Sequence, residues 1–198
     1  MNLPLEPLAD IAQSLAEKRI AGRKSDPGFR QILTHYMNGK LFHDNGRVYR
    51  DREVYRGFKN GWCAAFVYYC AVEAGLGLPM RVMCKDQQVR NFSGVRAWLE
   101  WGERMGFIHM PEGFAPRRGD IVIYNRIIPV KYRERNGLWH DHIGIVLACD
   151  AETITVAEGC IDNRNVGGIV TRNRDEHIGR YLRFPENYKY LPPASDNK

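Results

Sequence analysis

The chain has 198 residues, room for one domain with a proper core and little for a second. Hydrophobic residues make up 44% and charged residues 26%, as in ordinary globular proteins, and no apolar run approaches the roughly 20 residues that span a bilayer. The net charge of +6 favours anionic partners, but acidic residues interrupt the basic runs at Arg47 to Arg52 and Lys131 to Arg135, and no nucleic-acid-binding signature accompanies them or Arg117-Arg118.

The first expected element is a helix with Leu8, Ile11, Ala12 and Leu15 on one face, entered through Pro7, which suits a first turn. Ser25-Asp26-Pro27-Gly28 breaks the chain, and Phe29, Ile32, Leu33 and Tyr36 predict a second short helix ending near Asn38-Gly39. Lys40 to Gly57 is polar and charged and reads as loop. Trp62 to Glu73 predicts a third helix, stopped by Gly75 and Gly77, and Val95, Trp98, Leu99 and Met105 a fourth, closed by Gly106. Pro116 to Asp120 reads as a turn before a buried strand, Ile121 to Tyr124. A long basic connection follows, then short strands at His142–Cys149, Thr153–Glu158, Gly168–Thr171 and Tyr181–Phe184. Helices first and strands afterwards predict an α+β fold, with N-terminal helices packed on an antiparallel β-sheet. Residues 1–59 read as a helical and loop extension packing on a domain of residues 60–191, and 192–198 as a disordered tail.

The five cysteines are odd in number and include no C-x-x-C pair, so they read as reduced thiols. Cys63 lies at the start of the third helix, where unpaired N–H groups and the helix dipole favour an anionic sulfur. It also fits the bland description of a small buried core residue on the face shared by Val67, Cys70 and Ala74. The strands carry more information. If His142–Ala148 and Glu152–Glu158 pair through a three-residue loop of Cys149, Asp150 and Ala151, His142 stands directly opposite Glu158. The carboxylate can then accept from one ring nitrogen, leaving the other to take a proton from Cys63. A two-residue loop would reverse the parity and turn Glu158 away. Gly144, on the same face, is expected to make room for the helix that carries Cys63. An oxyanion hole would combine the Cys63 N–H with an upstream donor, for which Asn60 and Tyr55 are candidates; Asn60-Gly61 also serves a plain turn.

These residues resemble the CHAP family of cysteine amidohydrolases and peptidases, a papain-like group of bacterial and phage cell-wall enzymes. The resemblance runs from roughly Asn60 to Phe184 and rests on four motifs in order: Trp62-Cys63-Ala64-Ala65-Phe66-Val67, Gly119-Asp120-Ile121-Val122-Ile123, His142-Ile143-Gly144-Ile145-Val146 and Ala157-Glu158-Gly159. It implies a papain-like fold, Cys63 as nucleophile, His142 as general base and then acid, Glu158 as the residue orienting His142, and no cofactor. The family often has asparagine two residues after that glutamate, where this chain has Cys160; Asn163 lies close enough in sequence to substitute.

The implied function is hydrolysis of an amide bond, with peptidoglycan or a peptide as substrate and a possible anionic polymer at the basic loops. No specific nucleic acid and no membrane is expected as partner. A CHAP-like binding module that has lost turnover is the alternative. A metal site at His140, His142 and Cys160 is a weaker one, since only two ligands are spaced for it. Glu6, Asp10, Glu17 and Lys18 interrupt the N-terminal apolar residues, so no secretory signal is expected. The protein is then expected in the cytoplasm as synthesised, with a non-classical or phage-type export route as the other course.

Overall fold

The structure, a computed structural model, describes residues 5–41, 47–59, 61–132 and 140–189. Asn60, the end of the basic connection and the expected tail at 192–198 lie outside them.

Helix α1 (Leu5–Ala16) buries Leu8, Ala12 and Leu15, the stripe its periodicity predicts. Asp26 caps α2 (Pro27–Ile32), its carboxylate accepting from the N–H groups of Gly28 and Phe29 at 2.8 and 3.1 Å. A 3-10 turn, Leu33–Tyr36, continues the helix, and Gly39 follows at φ +76. The segment expected to be loop contains a helix, α3 (Asp51–Gly57). Two apolar residues four apart explain it: Val54 and Phe58 are buried, and Glu53 accepts from the Arg50 N–H at 2.8 Å.

Helix α4 (Cys63–Glu73) is buried from Cys63 through Ala71, so it is the central rod of the fold rather than a surface helix. It packs against α1, α2, α5 (Val95–Met105) and the sheet. Between α4 and α5 lies a hairpin that sequence reading leaves out, β1 (Arg81–Met83) with β2 (Val89–Asn91). Gly106, at φ +72, ends α5.

The main sheet is antiparallel throughout and has the order β3-β8-β4-β5-β6-β7. Its strands are β3 (Ile108–His109), β4 (Ile121–Asn125), β5 (His140–Cys149), β6 (Thr153–Glu158), β7 (Gly168–Asn173) and β8 (Ile178–Leu182). The last strand lies a few residues earlier than expected. Phe184, though wholly buried, serves an aromatic cluster with Trp101, Phe107 and Tyr188 beyond the strand end.

Alternation divides the sheet into two faces. Ile121, Ile123, Ile143, Ile145 and Ala157 join the helices in the main core. Val122, Tyr124, Val146, Val156 and Tyr181 form a second cluster on the opposite face, closed over by Phe114 and Ile127. The N-terminal residues are woven into this body: α1 packs on α4, β5, β6 and β7, Ala21 bridges Val166, and the Gly167 N–H donates to the Ile20 carbonyl at 2.8 Å. The protein is thus α+β, and no helix among the described residues is long and apolar enough to cross a membrane.

Candidate active site

Cys63 is the first residue of α4, and the residue before it fixes where that helix begins. Trp62 is wholly buried; its Nε1–H donates to Asn165 Oδ1 at 3.2 Å and its ring meets Phe29 edge-on at 5.4 Å. Gly22, Gly159 and Gly167 surround the indole, and a Cβ at Gly159 or Gly167 would come within 2.8 or 2.7 Å of the ring. Asn165 in turn donates to the Gly22 carbonyl at 2.8 Å, so the N-terminal segment and the loop after β6 clamp the entry to α4 from two sides.

His142 and Glu158 meet at the end of the sheet where β5 begins and β6 finishes. The turn between these strands differs from the three-residue loop expected. The Asp150 N–H donates to the Thr153 carbonyl at 3.0 Å, leaving only Ala151 and Glu152 between them. Such a turn alone would send Glu158 to the wrong face. A bulge corrects it: Val146 pairs with Val156 and Ala148 with Thr155, so Leu147 is an extra residue in β5 and parity is restored. Glu158 consequently lies beside Gly144, diagonal to His142, and reaches it across the shared face. A Cβ at Gly144 would meet Val156 Cγ1 at 2.5 Å and Glu158 Cγ at 2.9 Å. Gly144 therefore makes room for the carboxylate, not for α4, which packs on the other face through Ile143 and Ile145.

The His142 imidazole and the Glu158 carboxylate are both fully buried, with Nε2 2.8 Å from Oε2. Glu158 leaves Nδ1 free, and the Cys63 thiol adjoins the ring. Burial acts to lower the imidazole pKa, but the charge of Glu158, followed by that of Cys63, outweighs it and holds His142 above its ordinary value. Burial acts to raise Glu158, yet His142 and Arg172 hold it well below the usual carboxylate range. The Tyr124 ring stacks on the imidazole at 5.9 Å.

Arg172, which sequence reading passed over, forks onto the same carboxylate: Nε donates to Oε1 at 2.7 Å and Nη2 to Oε2 at 2.6 Å. Its Nη2 also donates to Asp162 Oδ1 at 3.0 Å. No local motif announces this, because Arg172 pairs with Ile154 on the β6–β7 ladder and reaches Glu158 only along the sheet face.

The remaining candidates fall elsewhere. Asn163 donates its side-chain amide to the Tyr132 carbonyl at 3.2 Å, not to His142. Tyr55 packs on Phe29 with the Lys24 ammonium 5.6 Å above its ring, and Asn60 lies outside the described residues. Cys160 is buried at φ +53; burial, then the charge of Cys63, pushes its thiol up to about 12. Asp141, between the two strand histidines, accepts from the N–H groups of Ile127 and Ile128. Among the described residues, no three of His, Cys, Asp or Glu converge on a point that could hold a metal.

A thiol at a helix start, an imidazole beside it and a carboxylate on the far ring nitrogen can activate a sulfur nucleophile and shuttle its proton. Another wholly buried carboxylate, Asp120, has a different place. It accepts two hydrogen bonds from Arg183, at 2.8 and 2.6 Å, and one from the Arg117 N–H, and so fastens the turn before β4 to the end of the sheet.

No curated protein and no solved structure matches the chain. The family model of the CHAP domain matches residues 54–160, more than half of the chain, and takes in Cys63, His142 and Glu158. The chain belongs to the CHAP family, papain-like cysteine- and histidine-dependent amidohydrolases and peptidases.

Proposed function

We propose that the protein is a cysteine amidohydrolase or peptidase that cleaves an amide bond of peptidoglycan through Cys63, His142 and Glu158. The buried His142–Glu158 pair, 2.8 Å apart beside a cysteine at a helix start, carries this reading. The Cys63 sulfur attacks the amide carbonyl carbon after its proton passes to His142. The tetrahedral intermediate collapses, the C–N bond breaks, and the imidazolium gives its proton to the departing amine. Water, deprotonated by the now neutral imidazole, then attacks the thioester; the acid product leaves and the thiol is regenerated. Glu158 holds the ring and balances the imidazolium charge throughout. The Cys63 N–H, at the first turn of α4, is the donor the chain itself offers to the oxyanion.

A wall substrate fits the family's peptidoglycan-hydrolase type, and the net charge of +6 suits an anionic polymer at the surface. The test is digestion of purified peptidoglycan and of isolated stem-peptide fragments, read by mass spectrometry for a new amine and a new carboxylate. Hydrolysis by the wild type and none by Cys63→Ala is expected. Retained binding by Cys63→Ala with no hydrolysis by the wild type would leave a binding module in its place.

A further inference from the structure

We propose that Arg172, backed by Asp162, is a positioning residue that holds the Glu158 carboxylate in the orientation His142 needs; this rests on the hydrolase reading above. A carboxylate has two oxygens and a free torsion, and a single bond to an imidazole leaves that torsion undetermined. The Arg172 fork takes both oxygens and removes the freedom. Glu158 Oε2 thereby accepts from Arg172 Nη2 and stands 2.8 Å from His142 Nε2, so the guanidinium sets the point to which the imidazole is aimed.

The guanidinium is itself fixed on two further sides. Asp162 accepts from Nη2, the Tyr124 ring lies 5.4 Å from the guanidinium carbon, and only 13% of the side chain is exposed. Asp162 sits in a loop where Cys160, Asp162, Asn163 and Asn165 all adopt positive φ, a costly backbone for residues other than glycine. That loop brings an anion to the far side of Arg172. The charges facing Glu158 are then His142 from β5 and Arg172 from β7, with the Tyr124 hydroxyl from β4; Asp162 faces Arg172 and, at 3.3 Å, the more exposed Arg164, and Cys63 from α4 faces His142. Arg172 and Asp162 both lie beyond the segment the CHAP model matches.

The test measures the second-order rate of Cys63 alkylation by iodoacetamide against pH, by mass spectrometry, in wild type, Arg172→Gln, Arg172→Lys, Asp162→Asn and Arg174→Gln. Arg172→Gln is expected to slow alkylation at pH 6 at least tenfold and to move the acid limb of the profile to higher pH, because Glu158 loses the cation that holds it ionised. Arg172→Lys keeps a charge but not the fork, so its acid limb stays near that of the wild type while the rate falls several-fold. Asp162→Asn, a more exposed site that tolerates change, falls two- to fivefold. Arg174→Gln makes the same charge change just past β7 and leaves the profile unmoved. If Arg172→Gln does not fold, judged by circular dichroism, the lysine and Asp162 variants decide. Wild-type profiles in the folded variants would overturn the positioning role while leaving the hydrolase reading intact. A wild-type Cys63 no more reactive than the other thiols would overturn both.

Discussion

Glu158 lies diagonal to His142 across β5 and β6, and one extra residue in β5 puts it there. Without the bulge at Leu147, the Ala151-Glu152 turn would aim the carboxylate at the helical face, and the imidazole would have no acceptor in the second cluster. Local turn geometry and strand irregularity are therefore coupled in building the site.

Replacing Glu158 by Gln keeps the volume but removes the charge that opposes burial at His142. The imidazole pKa is expected to fall, since the desolvation that lowers it is then opposed only by Cys63. Nitrogen NMR of the ring should show the titration midpoint moving to lower pH, and turnover on a peptidoglycan fragment should drop by roughly 10²–10⁴-fold.

The same pair makes stability depend on pH from both sides. His142 is raised above its ordinary 6.5, so its contribution is fully present below that value and is lost as pH rises through the folded pKa. Glu158 is lowered from 4.5, so its contribution is present above that value and is lost as pH falls through the folded pKa. Both contributions are complete between 4.5 and 6.5. Urea denaturation across the pH range should show the difference between wild type and Glu158→Gln largest in that window.

Gly144→Ala sets a methyl against Val156 Cγ1 and Glu158 Cγ, at 2.5 and 2.9 Å before relaxation. Overpacking of this kind costs about 1–3 kcal/mol. Denaturant unfolding should report that loss, and Cys63 alkylation at pH 6 should slow because Glu158 is the group displaced.

Asn165 ties Trp62 to Gly22 through two side-chain hydrogen bonds and sits at φ +61. Asn165→Ala removes both bonds and leaves a Cβ in left-handed backbone without the polar side chain that favours it there, for an expected loss of about 2–3 kcal/mol. Asn165→Gly removes the bonds but suits the backbone, so its melting temperature should lie between the alanine variant and wild type.

Much of this arrangement is legible in the chain. The spacing of Leu8, Ala12 and Leu15, the glycines after α4 and α5, and the alternation in β4 to β6 place most elements within a few residues. Cys63 and Glu158 stand out because one opens and the other closes an element, and His142 because it lies near the start of β5, each beside small residues. What escapes has a physical reason. Helix α3 hides in a charged segment because only Val54 and Phe58 mark its buried side. The bulge hides because Leu147 is apolar like its neighbours, and alternation breaks there by a single residue. Arg172 hides because its link to Glu158 depends on β6–β7 register and a long side chain, neither of which leaves a local pattern.

The most direct measurement compares Cys63 alkylation by iodoacetamide against pH in wild type and His142→Ala, followed residue by residue with mass spectrometry. A rate well above those of Cys70, Cys84, Cys149 and Cys160 that persists below pH 8 and collapses in the variant is expected of a thiolate–imidazolium pair. A Cys63 that reacts no faster than those four thiols, and equally in both proteins, would contradict it and leave Cys63 a core residue.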